Sequence, residues 1–114
     1  MTINRLELVT EGTFDAAHHI PKYSGICART HGHTFKYSLY CEGVVNDEGM
    51  VVDFNIFKEL DHINLNDKIK VPTAENVCLY LVNKILNYNS SIRIFSLKIY
   101  ENPLSNEYVE FSNA

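Results

Sequence analysis

The sequence predicts an α+β domain of order ββααββ, with an antiparallel four-stranded sheet and two helices on one face. Three observations predict it: two period-two stripes early in the chain, helical spacing in its middle, and a return to period two near its end. At 114 residues the chain is expected to form one domain, residues 1–114.

From Leu6 to His18 the even positions Leu6, Leu8, Thr10, Gly12, Phe14, Ala16 and His18 form one stripe, with Glu7, Glu11 and Asp15 on the other face. This is the first strand. After a loop holding Pro21, Gly25 and Cys27, the odd positions His31, His33, Phe35, Tyr37, Leu39 and Cys41 form a second stripe, opposed by Thr34, Lys36, Ser38 and Glu42. If the two strands pair antiparallel, the end of the first lies beside the start of the second, and His18 comes close to His31 and His33.

VNDEG, residues 45–49, is a turn by composition, and Asp53 reads as the N-cap of a short helix with Phe54, Phe57 and Leu60 on one face. That helix is expected to fray around LDHINLN. A second helix opens at PTAEN, where Thr73 can cap and Glu75 adds favourable charge to the first turn. It runs toward Tyr88 with Val77, Leu81 and Ile85 at helical spacing, joined by Cys78, Val82 and Leu86. A third strand spans Ile92 to Glu101, with Arg93, Phe95, Leu97, Ile99 and Glu101 on one side; EYVEF makes the fourth after a turn.

Composition narrows the function classes. Ten basic against 14 acidic residues give a formal charge of −4, and no basic cluster tracks a phosphate backbone, so nucleic acid is not an expected partner. No apolar run approaches the roughly 18 residues needed to span a bilayer. The start, MTINRLELVTEG, does not read as a signal peptide, and a cytoplasmic location is expected. Three widely spaced cysteines suit reduced thiols better than a disulfide framework. An anionic small substrate stays open, because a bound metal with local cations such as Lys22 and Arg29 can reverse the potential of one pocket.

All five histidines fall in three segments, HH, HGH and DH. Positions i and i+2 of a strand point the same way, so His31 and His33 can reach one ion together with His18; His19 points to the opposite face. Three nitrogens leave one position of a tetrahedral metal open, which is the arrangement of a catalytic site. By donor type alone, zinc, cobalt, nickel or iron would fit. Cys27, four residues before the HGH pair, is the candidate base or nucleophile, since a nearby cation favours its thiolate. Cys41 and Cys78 read as core residues. Asp61 and His62 offer a carboxylate and an imidazole for proton transfer. Glu101 extends an apolar face and so needs a partner, such as a substrate with adjacent N–H donors.

Taken in order, FDAAH, C-x-x-x-HGH, GMVVDF, LDHINLN, PTAEN and IYEN resemble the 6-pyruvoyl-tetrahydropterin synthase and 6-carboxy-tetrahydropterin synthase family across residues 14 to 102. The resemblance implies the tunnelling fold, with trimers pairing into a homohexamer and active sites between subunits. It makes His18, His31 and His33 the zinc ligands, Cys27 the proton acceptor, and Asp61 with His62 the relay for a second proton. It places Glu101 on the pterin ring, with Thr73 and Glu75 in the pterin pocket. The implied substrate is 7,8-dihydroneopterin triphosphate. The compact length, GMVVDF and the short loop before Cys27 resemble the bacterial type more closely, whose products are 6-carboxy-5,6,7,8-tetrahydropterin, acetaldehyde and triphosphate on the route to queuosine. The alternative reaction is triphosphate elimination by the pyruvoyl-forming enzyme of tetrahydrobiopterin synthesis. An alternative of another class is a non-enzymatic binding module in which zinc only staples the first two strands.

Overall fold

The computed structural model describes residues 5–23, 25 and 28–114. Strand β1, Arg5–His18, and strand β2, His31–Val44, pair antiparallel in unbroken register, from Arg5 opposite Val44 to His18 opposite His31. Burial alternates as the stripes require: Phe14, Ala16 and His18 on β1 and Phe35, Tyr37, Leu39 and Cys41 on β2 all face inward. Gly12 lies opposite Tyr37, where an added Cβ would sit 2.5 Å from the phenol oxygen. The missing side chain is what admits that ring.

Helix α1 is a single turn, Asn55–Lys58, that buries Ile56 and Phe57 with Leu60 just beyond. This corrects the expected face. Phe54, not Asp53, occupies the capping position and makes no side-chain cap bond, while Asp53 Oδ1 accepts from the Asn55 N–H two residues on. Shifting the turn forward leaves Phe54 45% exposed and puts Ile56 in the core. Phe57 lies flat against Tyr37, with ring centroids 3.9 Å apart.

The sheet is also corrected, from four antiparallel strands to five mixed ones in the order β3-β1-β2-β4-β5. The added strand β3, Ile63–Asn64, runs parallel to β1 beside Ala16 and Ala17. Two residues are too few to show a period, so pairing with an open strand edge, not sequence pattern, defines this element. A single 3-10 turn, Leu65–Asp67, follows it. Helix α2, Ala74–Tyr88, begins at Thr73 as expected, with the Thr73 hydroxyl accepting from the Asn76 N–H at 3.2 Å.

Strands β4, Arg93–Tyr100, and β5, Val109–Phe111, complete the sheet. Tyr40 pairs with Ser96 and Cys41 with Ile94, so Phe95 is an extra residue, a β-bulge that reverses the alternation. Ile94 therefore faces the core with Leu97 and Ile99, while Phe95 packs against Tyr40 with the rings tilted and their centroids 4.8 Å apart. One apolar cluster joins the inner sheet face to Val77, Leu81 and Ile85 of α2. Each such side chain contributes about 1.5–3 kcal/mol on burial. Among the described residues no helix is long and apolar enough to cross a membrane.

Candidate active site

The stacked Phe14 and Phe35 rings, 5.1 Å apart, end this core below the three histidines. Phe35 meets His18 and His33 edge to face at 5.6 and 5.8 Å. Strand register does the rest, because His18 and His31 are direct partners and His33 follows on the same face. One nitrogen from each of the three rings lies within 4.8 Å of the others. His18 is only 1% exposed.

The hydrogen bonds fix the tautomers. His18 Nδ1 is 2.7 Å from the Pro72 carbonyl and His31 Nδ1 is 2.7 Å from the Arg29 carbonyl. A carbonyl can only accept, so both Nδ1 atoms carry a proton and donate it, and in the neutral form of either ring Nε2 is the nitrogen that keeps the lone pair. Those two Nε2 atoms lie 3.0 Å apart. His33 Nε2 is buried with no hydrogen-bond partner among the described residues, and its nearest carboxylate oxygen, on Glu101, is 3.8 Å away. Three imidazole nitrogens converging in this way fit a divalent cation. Burial, reinforced by His18, holds His33 below the usual histidine range and so keeps it neutral, the form that ligates metal.

Glu101 is half-exposed and lines three cavities, two of which also take in residues of α2. The larger of those two, about 540 Å³, is bounded by His33, Ala74, Glu101, Ser105, Glu107 and Tyr108. The smaller, about 210 Å³, is bounded by His18, Ile20, Tyr23, Thr73, Glu75 and Glu101. Thr73, Glu75 and Glu101 thus share a cavity with His18. Cys27 lies outside the described residues. Cys41 and Cys78 are core thiols, each pushed up to about 11 by burial.

Asp61 and His62 form a separate group with Asp15 on the outer side of β1. Asp61 Oδ2 is 2.9 Å from His62 Nδ1, while Asp61 Oδ1 accepts from the Asp15 N–H at 2.8 Å. The His62 N–H in turn donates to the Asp15 carbonyl at 2.6 Å, and His62 adopts a left-handed φ of 60°. The Asp15 N–H above all, with help from His62, holds the Asp61 carboxyl below its usual range. His62 and His33 line one shallow depression of about 620 Å³, but no hydrogen bond joins the pair to the three histidines among the described residues.

Several participants escape sequence reasoning. Pro72 and Arg29 act through backbone carbonyls, which leave no side-chain signature. Asp15 and its partner Thr34, whose hydroxyl donates to it at 2.6 Å, had a signal in their shared polar face.

The family model described as 6-pyruvoyl tetrahydropterin synthase matches residues 7–113. The chain belongs to that family. It is similar to an Archaeoglobus fulgidus protein provisionally named 6-carboxy-5,6,7,8-tetrahydropterin synthase, at 35% identity over 89 residues, 71% of this chain and 76% of the other. A Pyrococcus furiosus protein named dihydroneopterin monophosphate aldolase is 31% identical over 106 residues, 85% of this chain and 90% of the other. Among solved structures, Caenorhabditis elegans 6-pyruvoyl tetrahydropterin synthase superposes with a TM-score of 0.67 at 24% identity, covering 96% of each chain. That likeness establishes the common fold, so the tunnelling architecture stands with a five-stranded mixed sheet. Family membership makes the protein an enzyme of the pterin-synthase type, a lyase, and displaces the binding-module reading.

Proposed function

We propose that this chain converts 7,8-dihydroneopterin triphosphate, with water, to 6-carboxy-5,6,7,8-tetrahydropterin, acetaldehyde and triphosphate, as a cytoplasmic enzyme supplying 7-deazapurine and queuosine synthesis. The observation that carries the reading is the meeting of the His18 and His31 Nε2 atoms at 3.0 Å beside the buried Nε2 of His33, which has no hydrogen-bond partner among the described residues. That donor set suits zinc. A divalent ion held there supplies Lewis acidity toward the hydroxyls of the pterin side chain.

The remaining roles belong to the protein. Cys27 takes the proton from the substrate carbon beside those hydroxyls, and Asp61 with His62 handles the second proton. Glu101 accepts two N–H bonds from the pterin edge, with Thr73 and Glu75 walling the same pocket. The assembly proposed is a homohexamer, two trimers with active sites between subunits. The bonding of Asp61 and His62 to β1 rather than to the histidines supports such sharing, because a neighbouring copy can supply its own pair.

Cys27→Ala tests the chemistry. The variant is expected to keep its zinc content and oligomer size yet to release no triphosphate. Normal turnover by Cys27→Ala would remove that thiol from the mechanism.

A further inference from the structure

The parallel ladder between β1 and β3 ends at Ala17 opposite Asn64, one residue before His18 and two before His19. The main chain of His19 is nevertheless paired on both sides of its peptide chemistry. Its N–H donates to Asn66 Oδ1 at 2.9 Å, and its carbonyl accepts from Asn66 Nδ2 at 3.1 Å. The carboxamide of Asn66 therefore imitates a backbone peptide, giving β1 one more rung after the real strand has stopped. Asn66 is itself held, its N–H donating to Asn64 Oδ1 at 3.0 Å.

The rung falls beside His18, whose ring Nδ1 bonds the Pro72 carbonyl and whose Nε2 lies 3.0 Å from His31 Nε2. Beyond His19 the chain enters the loop that returns through Arg29 to His31. His18 is the last residue of the ladder with β2, opposite His31, so the Asn66 rung holds the first residue beyond that ladder.

We propose that Asn66 is a positioning residue for the metal site, holding the last turn of β1 so that His18 presents its Nε2 at the distance a shared ion requires. This rests on the three-histidine reading above. It assigns Asn66 no contact with ion or substrate; Asn66 acts through His19 and His18. The side-chain amide supplies both a donor and an acceptor in fixed planar geometry, so aspartate and alanine each fail in a distinct way. Aspartate keeps the acceptor and places a second oxygen against the His19 carbonyl; alanine loses both bonds.

Asn89 provides the control. It is a second asparagine staple, its Nδ2 donating to the carbonyls of Val44 and Val51 at 2.8 and 3.0 Å, at the opposite end of β2 from the histidines. Zinc affinity of the full chain, measured by competition with a chromophoric chelator at constant pH, and urea stability of the metal-free protein are read together. Asn66→Ala is expected to weaken zinc binding about tenfold, in the range of other residues that orient metal ligands, and Asn66→Asp severalfold. Asn89→Ala is expected to lower the urea midpoint with zinc affinity unchanged. If Asn66→Ala does not fold, Asn66→Asp carries the test alone. Unchanged zinc affinity in the folded Asn66 variants, or an equal loss in Asn89→Ala, would overturn the assignment. A wild-type chain that binds no zinc would overturn the three-histidine reading first and this one with it.

Discussion

Replacing His18 with alanine separates what this ring does for the fold from what it does for the ion. In the metal-free chain the substitution leaves the Pro72 carbonyl without the Nδ1–H that now lies 2.7 Å away, in a place where the His18 side chain is 1% exposed. An orphaned buried acceptor costs about 1–3 kcal/mol. For a chain of this length about 1 kcal/mol moves Tm by roughly 4 °C, so the metal-free variant should melt about 4–12 °C below the wild type. The ion adds a second difference of similar size. At a free zinc concentration about 100 times Kd, binding stabilises the wild type by about 2.7 kcal/mol, or roughly 10 °C. His18→Ala retains two of three imidazoles and should show almost none of that rise at the same zinc level. Differential scanning calorimetry with chelator and with zinc measures both quantities in one pair of scans. A full zinc-induced rise in His18→Ala would refute the convergence of three Nε2 atoms on one ion. Equal melting of the two metal-free proteins would refute the bond to Pro72.

Two further outcomes follow from the same geometry. Glu101→Gln turns one acceptor oxygen toward a donor, and a pair of charge-assisted bonds loses about 1.5–3 kcal/mol, so pterin affinity measured by fluorescence titration should fall by about tenfold to a hundredfold; unchanged affinity would remove Glu101 from the pocket. Burial and His18 hold His33 below its ordinary range, so the unfolded chain takes up this proton before the folded one does. His33's share of metal-free stability is then complete above about pH 6.5 and lost as pH falls below it. Urea midpoints from pH 8 to pH 5 should therefore decline less steeply in His33→Gln than in the wild type, and an identical or steeper decline in the variant would contradict the depression.

Much of the site was legible because it is built on a long hairpin. Period two over β1 and β2 fixed which face each histidine takes, and antiparallel pairing was enough to bring His18 beside His31. Thr73 was legible because an N-cap is a local device. The errors arose where tertiary pairing overrides local pattern. A two-residue strand has no readable period, so Ile63–Asn64 passed for a frayed helix. The bulge at Phe95 reversed the inward face at the start of β4, and only the partner strand reveals it. Phe54 was assigned inward because three apolar residues at helical spacing look alike whether the turn starts at residue 54 or 55. The contributions of Asn66 and Pro72 depend on backbone groups meeting across the fold, and that of Arg29 on a backbone carbonyl two residues from His31, none of which residue types alone encode.

The central proposal is that a zinc ion on three imidazoles, with Cys27 as the base, performs carbon–carbon cleavage on a pterin triphosphate. Mass spectrometry of the zinc-loaded wild type after incubation with 7,8-dihydroneopterin triphosphate tests it most directly. The account predicts 6-carboxy-5,6,7,8-tetrahydropterin with acetaldehyde and triphosphate in equal amounts. Accumulation of 6-pyruvoyl-tetrahydropterin, or recovery of the substrate intact, would contradict it.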